Sequence, residues 1–312
     1  MLKIALIFLG FLLLIFQEYV QPITMHIQFI IFLIGIVILG IPHGAADLLV
    51  AMQSANDEKK EFSKGRFFLN YWGRLSLFAV VLWLSPLIGN LLFIVFAGYH
   101  FGETDLCEIK TDTITGKIFV ASYGLVILGV ILLQHFDEVI PMLSQFNASK
   151  QNATFINWLS LHRYSTLSIL GIIFFATTLL QFVSANSNNQ QLHSQYLVRF
   201  ACLLFILFKL PMMLGFTFYF ITWHSIFSLQ NIINYLRKDG LVSITQIAKQ
   251  MVGYSLLAMI GIVIFAFTGY MYLNSATITM YVFLGLAVLT APHMQIMHDM
   301  YKHLRYYKMT KS

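Results

Sequence analysis

The sequence predicts an all-α, polytopic transmembrane helix bundle with about 8–10 spans. Hydrophobic residues make up 58% of the 312-residue chain and charged residues only 10%, against about a quarter in soluble domains. Apolar stretches of membrane-spanning length recur along the whole chain, and no long polar block separates them. We therefore expect a single integral membrane domain over residues 1–312, in contact with membrane lipid.

Each span is predicted to be an α-helix, because unpaired backbone groups are not tolerated in hydrocarbon. Pro211 is compatible with a kink in one long helix or with a break between two helices. The first span follows Lys3 but has no small-residue cleavage site, which favours a retained helix over a signal peptide. The predicted spans cover residues 4–20, 23–42, 67–86, 88–101, 117–134, 165–183, 197–211, 212–236, 250–272 and 277–293.

Basic residues predict the orientation of the chain in the membrane. They cluster at Lys59, Lys60, Lys64 and Arg66, at Arg237 and Lys238, and at Lys302, Arg305, Lys308 and Lys311. Because Lys and Arg are enriched in cytoplasmic loops, we expect both termini on the cytoplasmic side of the inner membrane and the connector 134–164 outside. The net charge of +6 is explained by this orientation, so no nucleic-acid partner is expected.

Five of the ten histidines lie within or at the ends of apolar helices, where ionisable side chains usually face a cavity, a partner or a metal. They are His43 in IPHGAAD, His100 in GYHFGETD, His224 in FYFITWHS, His293 after Pro292, and His298. Imidazole is a common iron ligand, and its second nitrogen generally donates to a carboxylate or a carbonyl. The other five histidines lie in or beside polar connectors or in the basic tail, where we interpret them as interfacial or solvated.

Carboxylates accompany these histidines. Asp47 follows His43 by four residues, which places both on one face if the helix continues, and Glu103 and Asp105 follow His100. Such pairs on separate helices favour a metal site with supporting carboxylates. The alternative is that each histidine makes a hydrogen bond between helices, with Gly44 and Gly102 allowing close helix packing.

An aromatic stripe precedes His224. Its spacing of i, i+3, i+4 and i+7 puts four side chains on one helical face, where they would form a flat wall suited to a conjugated ligand. Ordinary core packing is the alternative interpretation of the same stripe. The four residues are Phe216, Tyr219, Phe220 and Trp223.

The segments IPHGAAD, YHFGETD, Trp223-His224 and the late APHM, in this order, resemble the Brp/Blh family of membrane β-carotene 15,15′-dioxygenases. The resemblance covers nearly the whole chain. It implies Fe(II) as cofactor, β-carotene and O2 as substrates, and cleavage of the central double bond to two molecules of all-trans-retinal. It also implies a functional link to a retinal-binding rhodopsin, because the family is associated with retinal supply to microbial rhodopsins.

The resemblance assigns iron binding to His43, His100 and His224, but the chain departs from the family at one position. The family commonly has another histidine four residues after the Trp-His pair, and here that residue is Ser228. A serine hydroxyl is a poor iron ligand, so the site holds three histidines or takes its fourth from elsewhere. His293 is the first candidate, because its Pro-His context matches that of His43, and His298 is the second.

The remaining expectations concern the surroundings of the iron. Asp47, Glu103 and Asp105 are expected to orient the imidazoles and to offset the charge of the iron, without a role in proton transfer. No catalytic side chain is expected apart from the metal ligands. Two other functions remain open from sequence alone: a bis-histidine haem membrane protein, and a carotenoid- or retinal-binding or transport protein without catalysis.

Overall fold

The computed structural model describes residues 1–143, 150–184, 187–238, 243–272 and 275–311. The structure is 89% helical, and no strand occurs within those ranges. The predicted all-α fold class is therefore confirmed. Residues 144–149 of the predicted connector 134–164 lie outside the described residues.

Fourteen α-helices occur in the described ranges. The first seven are Leu2–Ile15 (α1), Met25–Gly35 (α2), Ile41–Gly44 (α3), Asp47–Asp57 (α4), Lys64–Leu84 (α5), Pro86–Asp105 (α6) and Ile114–Gly129 (α7). The others are Phe136–Leu143 (α8), Lys150–Ser184 (α9), Ser187–Lys209 (α10), Met212–Phe216 (α11), Ser225–Leu236 (α12), Ile244–Tyr272 (α13) and Ser275–Lys311 (α14). Four π-helical segments extend or join them, namely Phe16–Val20, Ile36–Gly40, Val130–Gln134 and Thr217–His224.

Six helical stretches within the described residues are long and apolar enough to cross a membrane. Large apolar side chains such as Trp83 and Leu161 are more than 80% exposed on the outside of the bundle, a surface that suits lipid rather than water. The chain is therefore a membrane protein. The six stretches are Leu2–Val20, Met25–Asp57, Lys64–Leu84, Ile114–Gln134, Ala153–Ser184 and Met212–Leu236. The other four predicted spans lie on α6, α10, α13 and α14.

One helix boundary differs from the sequence prediction, and another decides between two predicted alternatives. α9 begins at Lys150, fifteen residues before the predicted span that starts at residue 165, so much of the expected polar connector is helical. Pro211 has the extended backbone angles φ −51° and ψ 150°. It therefore separates α10 from α11 instead of kinking one helix.

Helices α6 and α7 pack with their backbones in contact. A Cβ atom at Gly102 would lie 2.0 Å from the carbonyl oxygen of Val120, and one at Gly124 would lie 1.8 Å from that of Gly98. A Cβ at Gly44, in contrast, would meet no atom within 4 Å. The close-packing interpretation therefore fits Gly102 and not Gly44, and it explains how α6 is held deep in the bundle.

Candidate metal centre

Four histidines from four separate parts of the chain converge inside the bundle. His43 comes from α3, His100 from α6, His224 from the end of the π-helical segment Thr217–His224, and His293 from α14. Their side chains form a closed cycle, with ring-centroid distances of 5.7 Å (His43 to His224), 4.9 Å (His224 to His100), 5.3 Å (His100 to His293) and 5.0 Å (His293 to His43). Each residue is at most 5% exposed.

Local irregularities in the helices aim two of these side chains inward. The π-helical segment Ile36–Gly40 leads directly into Pro42 and His43, and a second π-helical segment ends at His224. Such segments are rare and frequently occur at functional sites. In addition, Pro292 lies within α14 immediately before His293, where it removes a backbone hydrogen bond of the helix.

Several nitrogens of the four clustered histidines have no hydrogen-bond partner among the described residues. Within the described part of the chain, no hydrogen bond reaches the buried Nδ1 and Nε2 of His100, Nδ1 of His224 or Nε2 of His293. Leaving a buried polar atom unsatisfied costs about 1–3 kcal/mol. A cation bound between the rings would satisfy such nitrogens. The alternative interpretation, a hydrogen bond between helices, does not apply to the ring of His100, because neither of its nitrogens has a partner among the described residues.

The ring spacing suits one shared metal ion. With metal–nitrogen bonds of about 2.1 Å, two imidazoles at roughly 90–109° have ring centres about 4.5–5.2 Å apart. The observed spacings lie at and slightly above this range. As the side chains stand, no three His, Cys, Asp or Glu residues among the described ones form a ready-made metal site. Rotation about χ2 of histidine, which occupies a broad well, changes the direction of the ring nitrogens and leaves the ring centres nearly in place.

Asp47 holds one member of the cluster, but a different one from that predicted. Its Oδ1 lies 2.6 Å from Nδ1 of His293, and its Oδ2 accepts a hydrogen bond of 3.3 Å from the Tyr71 hydroxyl. The expected pairing with His43 was wrong because the chain turns at residues 45 and 46, so α4 starts afresh at Asp47. His43 instead donates from Nδ1 to the carbonyl of Leu39, over 3.3 Å.

If the four rings bind iron, as the sequence predicts, replacing Asp47 with alanine weakens iron binding by about 10- to 100-fold, the usual effect of losing a carboxylate that orients a ligating histidine. The Tyr71→Phe variant is the matched control, because it removes only the contact with the other oxygen of Asp47. The measurement is the iron retained by each purified variant against a graded series of chelator concentrations. Equal retention by the two variants would show that Asp47 does not orient a ligand.

Glu103 and His298 pair with each other outside the cluster. Nδ1 of His298 lies 2.9 Å from Oε1 of Glu103, and Arg305 approaches the same oxygen at 3.4 Å. The hydrogen bond to Glu103 raises the pKa of His298, which lies beyond the apolar part of α14, above its ordinary value. The structure therefore brings His293 into the cluster and not His298. Glu103 orients the imidazole of His298 and none of the four clustered rings.

Asp105 supports the aromatic residues rather than a histidine. Its carboxylate accepts hydrogen bonds from Nε1 of Trp223 at 3.1 Å, the hydroxyl of Tyr123 at 3.0 Å and the hydroxyl of Tyr219 at 3.3 Å. Asp105 is 4% exposed, so these donors replace the water that a buried carboxylate loses. The prediction that Asp105 orients an imidazole is therefore corrected, because its donors are two phenols and an indole.

The predicted aromatic wall divides into two parts. Phe216 stacks on Phe220 at 5.4 Å, and Phe220 stacks on His224 at 6.0 Å, with ring planes within 12° of parallel. Tyr219 and Trp223 instead turn their polar atoms to Asp105. The division follows from the π-helical segment Thr217–His224, because its wider turn changes which residues share a face.

Ser228 lies fully buried on the turn of α12 that follows His224. Its hydroxyl is beside that of Tyr301, which donates to Thr104 over 3.1 Å. The position where the resemblance implied a histidine therefore belongs here to a group of hydroxyl-bearing side chains next to the histidine cluster. The Tyr301 ring lies 6.4 Å from that of His100.

Two contributors to the site were missed by sequence reasoning. The ring of Phe101 lies 4.6 Å from that of His224 and 5.1 Å from that of Tyr219. Its position directly after His100 was the available signal. Tyr71 lies on a separate helix, and its sequence context resembles that of any aromatic residue in an apolar span.

The fold and the site define a class of protein: a helical membrane protein with a buried cluster of four histidines. The sequence model of the family described as beta-carotene 15,15′-dioxygenase matches residues 34–301. The chain belongs to this family, and the resemblance to Brp/Blh proteins is confirmed. The match spans all four histidines. Comparison with curated proteins and with solved structures finds no match.

Proposed function

We propose that this protein cleaves the central 15,15′ double bond of β-carotene with O2 to give two molecules of all-trans-retinal, using Fe(II) bound by His43, His100, His224 and His293. The observation that carries the proposal is the convergence of the four buried rings in a member of this family. The reaction balances without a further reductant: one carbon–carbon double bond breaks, two carbonyl groups form, and O2 supplies both oxygens.

Fe(II) would supply the redox chemistry that lets O2 react with a closed-shell polyene. The residues of the chain would hold and orient this ion. His43 donates from Nδ1 to the Leu39 carbonyl, which leaves its Nε2 for the metal, and Asp47 does the same for His293. Neutral imidazoles preserve the positive charge of the ion, and the nearby Asp47 carboxylate offsets part of it.

The protein would also position the polyene and exclude water. Phe101 and Phe220 lie against His224, so their flat, apolar surfaces are suited to hold conjugated carbons beside the metal. Asp105 fixes Tyr219 and Trp223 behind them through three hydrogen bonds. The low exposure of the cluster keeps the reacting carbons away from bulk water.

Expression in cells that accumulate β-carotene tests the activity. We expect loss of the orange colour and the appearance of retinal, detected by chromatography, in cells carrying the wild-type chain and not in cells carrying the empty vector. Pigment that stays bound to the purified protein with no retinal formed would indicate a binding protein instead. A Soret band in the purified protein would indicate haem.

The proposal includes a cellular setting. The chain would lie in the inner membrane with both termini on the cytoplasmic side, because its basic clusters mark that side. His43, His100 and His293 would then lie towards the cytoplasmic face. Retinal released into the same membrane would be accessible to a retinal-binding rhodopsin.

A further inference from the structure

An apolar groove lies between α3, α12 and α13, near the histidine cluster. Its volume is about 340 Å³, within the range of roughly 300–1,000 Å³ that is typical of small-molecule sites. Pro42 forms one wall, Leu229 and Ile233 form another, and one face of α13 from Ile244 to Met259 forms the third. Apart from Ser255, every described lining residue is apolar.

The groove is elongated and open at its side. The lining residues of α13 recur every three or four positions from Ile244 to Met259, a distance of about 22 Å along a helix that rises 1.5 Å per residue. Ile244, Val252 and Leu256 are each more than half exposed. In a membrane this open side faces lipid, where a carotenoid is dissolved.

Two residues that line the groove are close in sequence to members of the histidine cluster. Pro42 lines it, and the next residue is His43. Leu229 lines it from α12, five residues after His224. A long apolar molecule lying in the groove therefore comes close to the histidine cluster where it touches Pro42 and Leu229. None of the aromatic residues singled out from the sequence contributes to this wall.

We propose that this groove binds one ring-bearing half of the carotenoid substrate, which reaches it sideways from the membrane. The inference rests on the proposed function, because cleavage at the central bond requires the two halves of a symmetric polyene to extend in different directions from the iron. One groove then receives one half. Its aliphatic wall would hold a hydrocarbon taken from lipid through close packing and van der Waals contact, because a molecule that leaves lipid gains no hydrophobic free energy.

Filling the groove tests this proposal. The Ala248→Trp and Val252→Trp variants add bulk to lining positions that are already partly open, so the fold is expected to tolerate them. The matched control is Leu257→Trp on the same helix, at a position that is 66% exposed and lies outside the groove. The measurement is the β-carotene retained per chain by full-length protein purified without oxygen, together with its iron content.

We expect the two groove variants to retain less than a tenth of the β-carotene held by the wild type, whereas Leu257→Trp retains as much as the wild type and all four proteins hold the same iron. Retention by Ala248→Trp and Val252→Trp that equals that of Leu257→Trp would overturn the proposal, as would a wild type that retains no β-carotene. The test does not depend on catalysis: a wild type that retains β-carotene but forms no retinal contradicts the proposed function alone.

Discussion

Replacing His100 with alanine is expected to abolish retinal formation and iron binding while leaving expression near that of the wild type and the thermal stability of the metal-free protein near that of the metal-free wild type. Both ring nitrogens of His100 are buried without a hydrogen-bond partner among the described residues. The substitution therefore breaks no hydrogen bond of that ring, and it removes two unsatisfied polar atoms from the interior. If His100 had a structural role instead, the substitution would lower the stability of the protein together with its activity.

The measurement is retinal formed in β-carotene-accumulating cells, with iron content determined on the purified protein and unfolding temperature determined after the metal is removed with chelator. His162→Ala is the matched control, because His162 is exposed on α9, donates to the Trp158 carbonyl of its own helix and stacks on the Trp158 ring, far along the chain from the cluster. We expect His43→Ala and His224→Ala to lose activity in the same way. Full activity in any one of these three variants would remove that histidine from the site.

Replacing Gly102 with alanine is expected to destabilise the protein by about 1–3 kcal/mol or more, the usual range for overpacking a filled interior. The new Cβ would lie 2.0 Å from the carbonyl oxygen of Val120. Because that atom belongs to the backbone of α7, relief requires the two helices to separate. Since α6 also carries His100, two residues away, we expect the variant to bind less iron as well.

The control for this prediction is Gly171→Ala in the middle of α9, where a Cβ would meet no atom within 4 Å. Alanine there is expected to stabilise the helix by roughly 0.5–1 kcal/mol, because glycine has the greater conformational freedom when unfolded. Denaturant unfolding in detergent measures both variants. A Gly102→Ala protein as stable as Gly171→Ala would contradict the close contact of α6 with α7.

Much of the fold was readable from the sequence, because hydrocarbon imposes apolar helices of a minimum length. The ten predicted spans all lie on helices, and His43, His100 and His224 were singled out as polar residues in apolar surroundings. The contacts of Asp47 and of the aromatic stripe were predicted wrongly, because both depend on local breaks in helical periodicity. The turn at residues 45 and 46 sends Asp47 to His293, and the π-helical segment Thr217–His224 separates Phe220 from Trp223.

Two other features could not be predicted from residue types and spacing. The groove along α13 is lined by aliphatic residues such as Ala248 and Met251. Residues of these types are common at lipid-facing and core positions of any membrane span, so the sequence does not distinguish a groove. Asp105 was noticed for its distance from His100, but its partners come from α7 and the segment before His224. Only the packing of those segments shows that it supports aromatic residues.

Iron X-ray absorption on protein loaded without oxygen tests the central claim most directly, because imidazole rings bound to iron give a scattering pattern that reports their number. We expect a shell of nitrogen ligands with the signature of four imidazoles in the wild type, and of three in His293→Ala. An unchanged spectrum in His293→Ala, or a wild-type spectrum with fewer than four imidazoles, would contradict a shared iron site formed by His43, His100, His224 and His293.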